Sequence, residues 1–202
     1  MKLRYSPTSP YVRKVNIVAI ETGLDSGIER LDTNVWDPQT DIGGTNPLGK
    51  VPVLVVDDRT VLFDSPVICE YLDSLHDGPK LFPAAGDVRW QALRLQALGD
   101  GLLDAAIAVV IEGRREEAFR SQAWIERQQT VVGRALDFLE DDIDSLSGDL
   151  TIGLISVGCA LGYLDFRMPV DPWRHDHPAL ADWFETFADR PSMAATIPAD
   201  PA

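Results

Sequence analysis

An α/β domain followed by an all-helical one is the fold class that this sequence predicts, and three observations point to it. Strand and helix signals alternate over roughly the first 80 residues. A segment with two prolines and two glycines, "DGPKLFPAAGD" at 77–87, interrupts the pattern. Beyond it the periodic stretches have helical spacing. The expected limits are 1–78 for the α/β domain, 79–87 for a linker and 88–202 for the helical domain.

Each element follows from its residues. Leu3 and Tyr5 alternate with Lys2, Arg4 and Ser6, the pattern of a short strand. Tyr11 to Thr22 reads as a helix with Val12, Val15, Val18 and Ala19 on one face, and Gly23 stops it. A second strand fits Ile28 to Asp32, and "DPQTDIGGTNPLG" at 37–49 is a polar loop. "VPVLVVDDRTVLF" at 51–63 is two apolar runs turning at Asp57–Asp58–Arg59, a hairpin. Residues 66–76 are helical, with Val67, Ile68, Tyr71, Leu72 and Leu75 as the apolar stripe. The order so far is β-α-β-loop-β-β-α.

Two long helices are expected at 88–112 and 116–144, the second with Trp124, Gln128, Val131, Ala135 and Phe138 at helical spacing. "TIGLISVGCALGYLDF" at 151–166 is apolar on every side, which marks a helix buried within a bundle. Leu180, Trp183, Phe184 and Phe187 then repeat at i, i+3, i+4, i+7.

The 202 residues are 45% hydrophobic and 25% charged, with 18 basic and 32 acidic side chains and a net charge of −14. That sign repels phosphate backbones and argues against nucleic acid as a general partner. No apolar run reaches the ~18–20 residues needed to cross a bilayer. Arg4, Ser6, Arg13 and Lys14 break up any signal-peptide core at the N-terminus. Cys69 and Cys159 sit in apolar helical segments, as buried free thiols of a cytoplasmic protein would. Neither has a Cys or His at ligand spacing, so no metal is expected. "HDHP" at 175–178 has two His at i, i+2 in a polar turn before a helix, where capping and solvation are the expected roles.

"TSPYVRKV" at 8–15 carries the first chemical signal. Ser9 is a favoured N-cap and Pro10 a favoured first helical residue, so the pair serves as an ordinary helix start. The same stretch matches the Cys-Pro-Tyr-Cys of glutaredoxins with Ser9 and Val12 in the cysteine positions. There a helix N-terminus stabilises a thiolate. A Ser in that place donates an O–H hydrogen bond to a thiolate brought by a ligand. In "GKVPVL" Pro52 opens a strand after Val51, the position of a cis proline in thioredoxin-like folds. In "FDSPVICEYLD" Ser65–Pro66 repeats the cap pairing, with Asp64 as a fixed negative charge beside an anion-binding helix N-terminus. A ligand bearing a carboxylate and an ammonium on one carbon suits Asp64 and Ser65 together.

These segments, with "NPLGKVPVL", "ALGDGLLDAA" at 97–106 and "VGCALGYLDFR" at 157–167, resemble the glutathione transferase family in order and spacing along nearly the whole chain. The likeness is nearest to bacterial members with an active-site Ser. It implies a thioredoxin-like domain followed by a helical bundle, and a twofold homodimer. It further implies that Ser9 donates to the glutathione sulfur and that Val51, before Pro52, pairs through its backbone with the cysteinyl part. Lys50 would meet the glycyl carboxylate, and Asp64 and Ser65 the γ-glutamyl end. Asp100 stands where some members send an acid across the dimer.

The implied activity is conjugation of glutathione, as co-substrate and without a metal, to a small hydrophobic electrophile in detoxification. Tyr11 and "LLDAAIAVVI" at 102–111 are candidate walls for the electrophile between the domains, and Arg89 and Arg94 are expected to pair with acids across the dimer. Two alternatives remain open at this point: glutathione-dependent isomerisation or dehalogenation, and a non-catalytic member that binds a protein partner. Two departures stand out. Asp64 replaces a commoner Glu, and Leu154 replaces the Asp that would close a capping box with Thr151.

Overall fold

A computed structural model describes residues 1–168 and 173–200. It divides into two compact units: Met1–Ala84 joined by the described residues from Pro191 onward, and Ala85–Arg190.

The first unit is built on strands β1 (Lys2–Tyr5), β2 (Glu29–Asp32), β3 (Val53–Val55) and β4 (Val61–Leu62), in the order β2-β1-β3-β4. Helix α1 (Pro10–Glu21) carries the chain from β1 to the parallel β2. Strand β3 returns antiparallel to β1, β4 antiparallel to β3, and α2 (Ser65–Ser74) follows. This is the thioredoxin-like order expected from the sequence. Leu3, Val53 and Leu54 from the sheet meet Val12, Val15 and Val18 of α1 and Ile68 and Leu72 of α2 in a buried core. Gly23, with φ near +74°, takes the left-handed turn after α1 that a side chain would resist.

The α2 stripe is narrower than its sequence suggests. Val67 and Leu75 are exposed, and the polar Asp73 is buried instead. Its carboxylate earns that position by accepting from the Leu81 and Phe82 amides at 2.8 and 3.1 Å, which ties down the Pro-rich segment after α2. The C-terminal segment is a second departure. Helix α8 (Pro191–Ala194), whose number follows the helices of the second unit, packs on α1, where the buried Arg13 donates to the Met193 carbonyl at 3.2 Å. The sequence limits of 88–202 had grouped this segment with the helical domain.

The second unit comprises α3 (Asp87–Gly113), α4 (Gln122–Asp141), α5 (Ile152–Arg167), α6 (Trp173–Asp176) and α7 (Pro178–Ala188). Every residue of α5 from Ile152 to Leu164 is buried, as its uniformly apolar sequence requires. The Thr151 hydroxyl makes no cap bond at its start, so both halves of the capping box are missing rather than one. In α4 the expected stripe is displaced. Trp124 and Phe138 are exposed, while Val132, Ala135, Leu136 and Leu139 form the buried i, i+3, i+4, i+7 face. The two leucines bury more apolar surface against the bundle than the polar-flanked Gln128 face could. Helix α7 is capped from outside its own chain segment: Glu140 of α4 accepts from the Ala179 and Leu180 amides at 2.9 and 2.8 Å. Cys69 and Cys159 are both buried and form no disulfide, and no described helix is long and apolar enough to cross a membrane.

His177 departs from its expected solvated role. It is buried, its side chain makes no cap bond, and its ring bridges the Trp173 carbonyl (2.7 Å) and the Asp137 carboxylate (3.0 Å). Burial alone pulls its pKa down. The bonds to Trp173 and Asp137 and the charges of Asp137 and Glu140 outweigh that, leaving it above the usual histidine value. A raised folded-state pKa means that the charged ring favours the folded state. Its contribution is complete below the unfolded value of about 6.5 and disappears as pH climbs through the folded value. The wild-type denaturation midpoint should therefore drop between about pH 6 and pH 8 more steeply than that of His177→Gln. Parallel midpoint–pH curves for the two proteins would show that His177 is not the group responsible.

Candidate functional site

The sheet register gathers the candidate residues at one end of the first unit. Strand β1 leaves the sheet at Tyr5 and leads to Ser9; β3 enters at Val53, opposite Arg4; β4 leaves at Leu62, opposite Leu54, and leads to Asp64. The N-termini of α1 and α2 therefore flank the Val51–Pro52 entry to β3, separated by two strand spacings, on the order of 10 Å. Lys50, Val51, Pro52, Asp64 and Ser65 belong to this group with Ser9. Asp100 lies on α3 in the other unit.

Ser9 is the N-cap of α1 with extended backbone, and Pro10 takes the first helical position. Its oxygen accepts from the Val12 amide at a long 3.4 Å. Acceptance leaves the hydroxyl proton available, and no described residue takes it. The half-buried side chain borders a cleft of about 350 Å³ that runs along α1 past Val12, Arg13 and Asn16 to Thr196 of the C-terminal tail, and none of Lys50, Val51, Pro52, Asp64 and Ser65 lines it.

The Val51–Pro52 bond is cis. Among the described residues nothing hydrogen-bonds to the Val51 backbone. Lys50 beside it is exposed, and its ammonium meets no described carboxylate. Asn46, which the sequence reading passed over, holds this bend, and Arg4 braces the loop that precedes it. The buried Asn46 donates from Nδ2 to the Lys50 carbonyl at 2.9 Å and accepts from the Leu48 amide at 3.0 Å. Arg4, on β1, fans its guanidinium over Thr33, Thr45 and Asp41, and that contact holds the Asp41 carboxyl below the ordinary carboxylate range. The signal for Asn46 was a polar residue next to a proline in a loop, common enough to pass as turn chemistry.

At α2 the structure alters the expected arrangement. The Asp64 carboxylate folds back and accepts from the Ser65 amide, so it caps its own helix. Glu, one methylene longer, would not turn back so tightly. The Ser65 hydroxyl is fully buried and has no hydrogen-bond partner. A buried hydroxyl without a partner costs about 1–3 kcal/mol. At a helix N-terminus the natural remedy is an anion that draws the hydroxyl toward it.

On the helical side, Arg94 has a partner within its own chain. It pairs with Asp142 of its own chain at 2.9 Å and lies over the Phe138 ring. Among the described residues no three His, Cys, Asp or Glu side chains cluster as metal ligands would.

Comparison with known proteins gives this geometry its context. Residues 8–75 match the glutathione S-transferase N-terminal domain model, and 122–186 match the C-terminal domain model. An uncharacterized GST-like protein of Escherichia coli (strain K12), YibF, is 35% identical, covering 98% of each chain. The stringent starvation protein A homolog of Coxiella burnetii is 28% identical over 84% of this chain and 76% of its own. A crystal structure of a glutathione transferase family member from Pseudomonas fluorescens Pf-5, with bound glutathione, superposes with a TM-score of 0.95 at 42% identity, covering 98% of this chain and 99% of that one.

Proposed function

The chain belongs to the glutathione S-transferase family, and from that premise we propose that it is a working glutathione transferase whose Ser9 activates the thiol. One observation carries the proposal: the Ser9 oxygen accepts its cap bond from Val12 and so keeps its proton for a ligand. A free thiol has a pKa near 8.5, so only a few per cent is thiolate at pH 7. Lowering it by about two units takes about 2.7 kcal/mol of selective thiolate stabilisation. A charge-assisted O–H bond with the α1 dipole behind it supplies that order of energy. The thiolate then attacks a small hydrophobic electrophile, the new C–S bond forming as the leaving group departs with its electron pair.

The remaining residues bind rather than react. Val51 offers its unpaired backbone to the cysteinyl amide, and Lys50 offers its ammonium to the glycyl carboxylate. The α-carboxylate of the γ-glutamyl end takes the Ser65 amide and hydroxyl, and Asp64, displaced from its cap, turns to the neighbouring ammonium. Asp100 of a second copy completes the ammonium site in a cytoplasmic homodimer. The glutathione bound to the Pseudomonas relative supports this reading. Calorimetric titration with glutathione, then turnover with a panel of electrophiles, tests it; absence of saturable binding would end it.

Because Asp64 and Ser65 meet a part of glutathione that does not react, alanine at either position should raise KM for glutathione about tenfold and leave kcat within about twofold. A fall in kcat at saturating glutathione with KM unchanged would contradict that assignment. The likeness to the stringent starvation protein A homolog favours a second reading, a member that binds a protein partner without catalysis. Glutathione binding with no turnover across the panel would select it, whereas turnover confined to isomerisable or halogenated compounds would select an isomerase or dehalogenase.

A further inference from the structure

One buried side chain of the first unit ties together the loop that presents Val51. Asn46 is 2% exposed, and each of its polar atoms is engaged within that loop. Its backbone N–H donates to the Ile42 carbonyl at 2.8 Å, and its own carbonyl accepts from the Gly49 amide at 2.9 Å. In the side chain, Oδ1 accepts from the Leu48 amide at 3.0 Å and Nδ2 donates to the Lys50 carbonyl at 2.9 Å. We infer that Asn46 is a positioning residue for glutathione: through Nδ2 it fixes the peptide that joins Lys50 to Val51, and so aims the Val51 N–H at the ligand. The inference rests on the glutathione reading and deepens it with a residue that acts only through others.

The argument is one of peptide geometry. A trans peptide is planar, with its C=O and N–H pointing opposite ways, and the Lys50–Val51 bond is trans. Holding the Lys50 carbonyl to the buried amide of Asn46 therefore turns the Val51 N–H away from it, and no described residue accepts from that N–H. A donor fixed in advance loses less freedom when a ligand carbonyl arrives, so the ordering cost falls on folding rather than on binding. Arg4 anchors the other end of the loop. On β1 it lies opposite Val53, and its guanidinium reaches Thr33 at 3.2 Å and Thr45 at 3.5 Å together with Asp41.

A plainer role exists for Asn46, the turn in which an Asn oxygen accepts from the amide two residues on. Asp serves that turn as well, and an exposed side chain suffices for it. Only an amide carries a donor beside the acceptor on so short a stem. Here that donor reaches four residues along the chain, to the peptide that carries the Val51 N–H.

The experiment compares Asn46→Ser and Asn46→Asp with the wild type, in the full chain, by calorimetric titration with glutathione, steady-state kinetics and thermal unfolding. Both variants keep an acceptor for the Leu48 amide and lose the Nδ2 donor. Asn46→Ser should bind glutathione about tenfold more weakly, the order of one hydrogen bond. Its kcat at saturating glutathione should stay within about twofold, and the pKa of the bound thiol should not move. Asn46→Asp should bind more weakly still, since it sets a carboxylate against the Lys50 carbonyl; if it fails to fold, Asn46→Ser, which buries no charge, decides alone. A residue that only steadied the turn would lower the Tm and leave the affinity of the folded protein intact. That result for Asn46→Ser, or a loss confined to kcat, would overturn the inference while the glutathione reading stands. Wild-type protein that does not bind glutathione would end both.

Discussion

Ser9→Ala is expected to lower kcat/KM for conjugation by roughly 10- to 100-fold while glutathione still binds. A hydrogen bond to a charged partner contributes about 1.5–3 kcal/mol, and that energy acts on the thiolate, the form that reacts. The pKa of the bound thiol should rise accordingly, so the pH–rate profile of the variant should move to higher pH. The fold should survive, for two reasons. The cap bond to Val12 is long at 3.4 Å, so its loss belongs near the low end of cap energies, about 0.5 kcal/mol. Pro10 still presets the first turn of α1. Thiolate absorbance of the bound complex against pH, measured beside turnover, separates an effect on ionisation from one on binding. Unchanged turnover at neutral pH would remove Ser9 from the chemistry and turn attention to Thr8.

The features legible in the sequence are those that local chemistry specifies. Ser9–Pro10 and Asp64–Ser65–Pro66 announce helix starts because cap and N1 preferences act within four residues. The hairpin at 51–63 shows itself because two apolar runs flank a polar turn. Helix α5 is legible because a helix apolar on every side has only one place to go. Ser9, Val51 and Ser65 could be grouped from the sequence only through the family resemblance; the physical link is the strand register, which no single segment encodes.

What stayed hidden depends on partners distant in sequence. Nothing near Arg13 says that the Met193 carbonyl, 180 residues away, will receive it, so the return of the tail to α1 was out of reach. His177 reads as a solvated turn residue until Asp137, 40 positions earlier, is brought beside it. Glu140 looks like one more surface acid on α4 but caps α7. The α4 stripe failed for a related reason: two apolar faces compete there, and the bundle rather than the helix decides which is buried. Asp64 is the instructive case at the site. Its charge was read correctly as a feature of the helix start, but a carboxylate on so short a stem reaches its own helix amide first.

The largest expected change in stability comes from a glycine. Helices α3 and α5 touch backbone to backbone at Gly99: a Cβ there would lie 2.7 Å from the Ser156 carbonyl carbon and 2.8 Å from its oxygen. On the other side of the contact, a Cβ at Gly153 would lie 2.7 Å from the Ala92 carbonyl oxygen. Backbone atoms cannot rotate away as a side chain can, so one helix must shift and loosen the packing around Leu95, Leu102 and Val157. Gly99→Ala should cost about 3 kcal/mol, the top of the usual overpacking range. The better helix propensity of Ala returns about 1 kcal/mol, leaving a net loss of about 2 kcal/mol and a Tm lower by roughly 4–8 °C. Gly101→Ala on the same helix is the control, since a Cβ there meets nothing within 4 Å and the position is exposed. With the propensity gain and no clash, it should be stabilised by about 0.5–1 kcal/mol. Opposite signs two residues apart would locate the constraint in the α3–α5 contact. Equal effects at both positions would show that α3 tolerates a methyl group anywhere along it, and that the close approach at Gly99 is not what holds the two helices together.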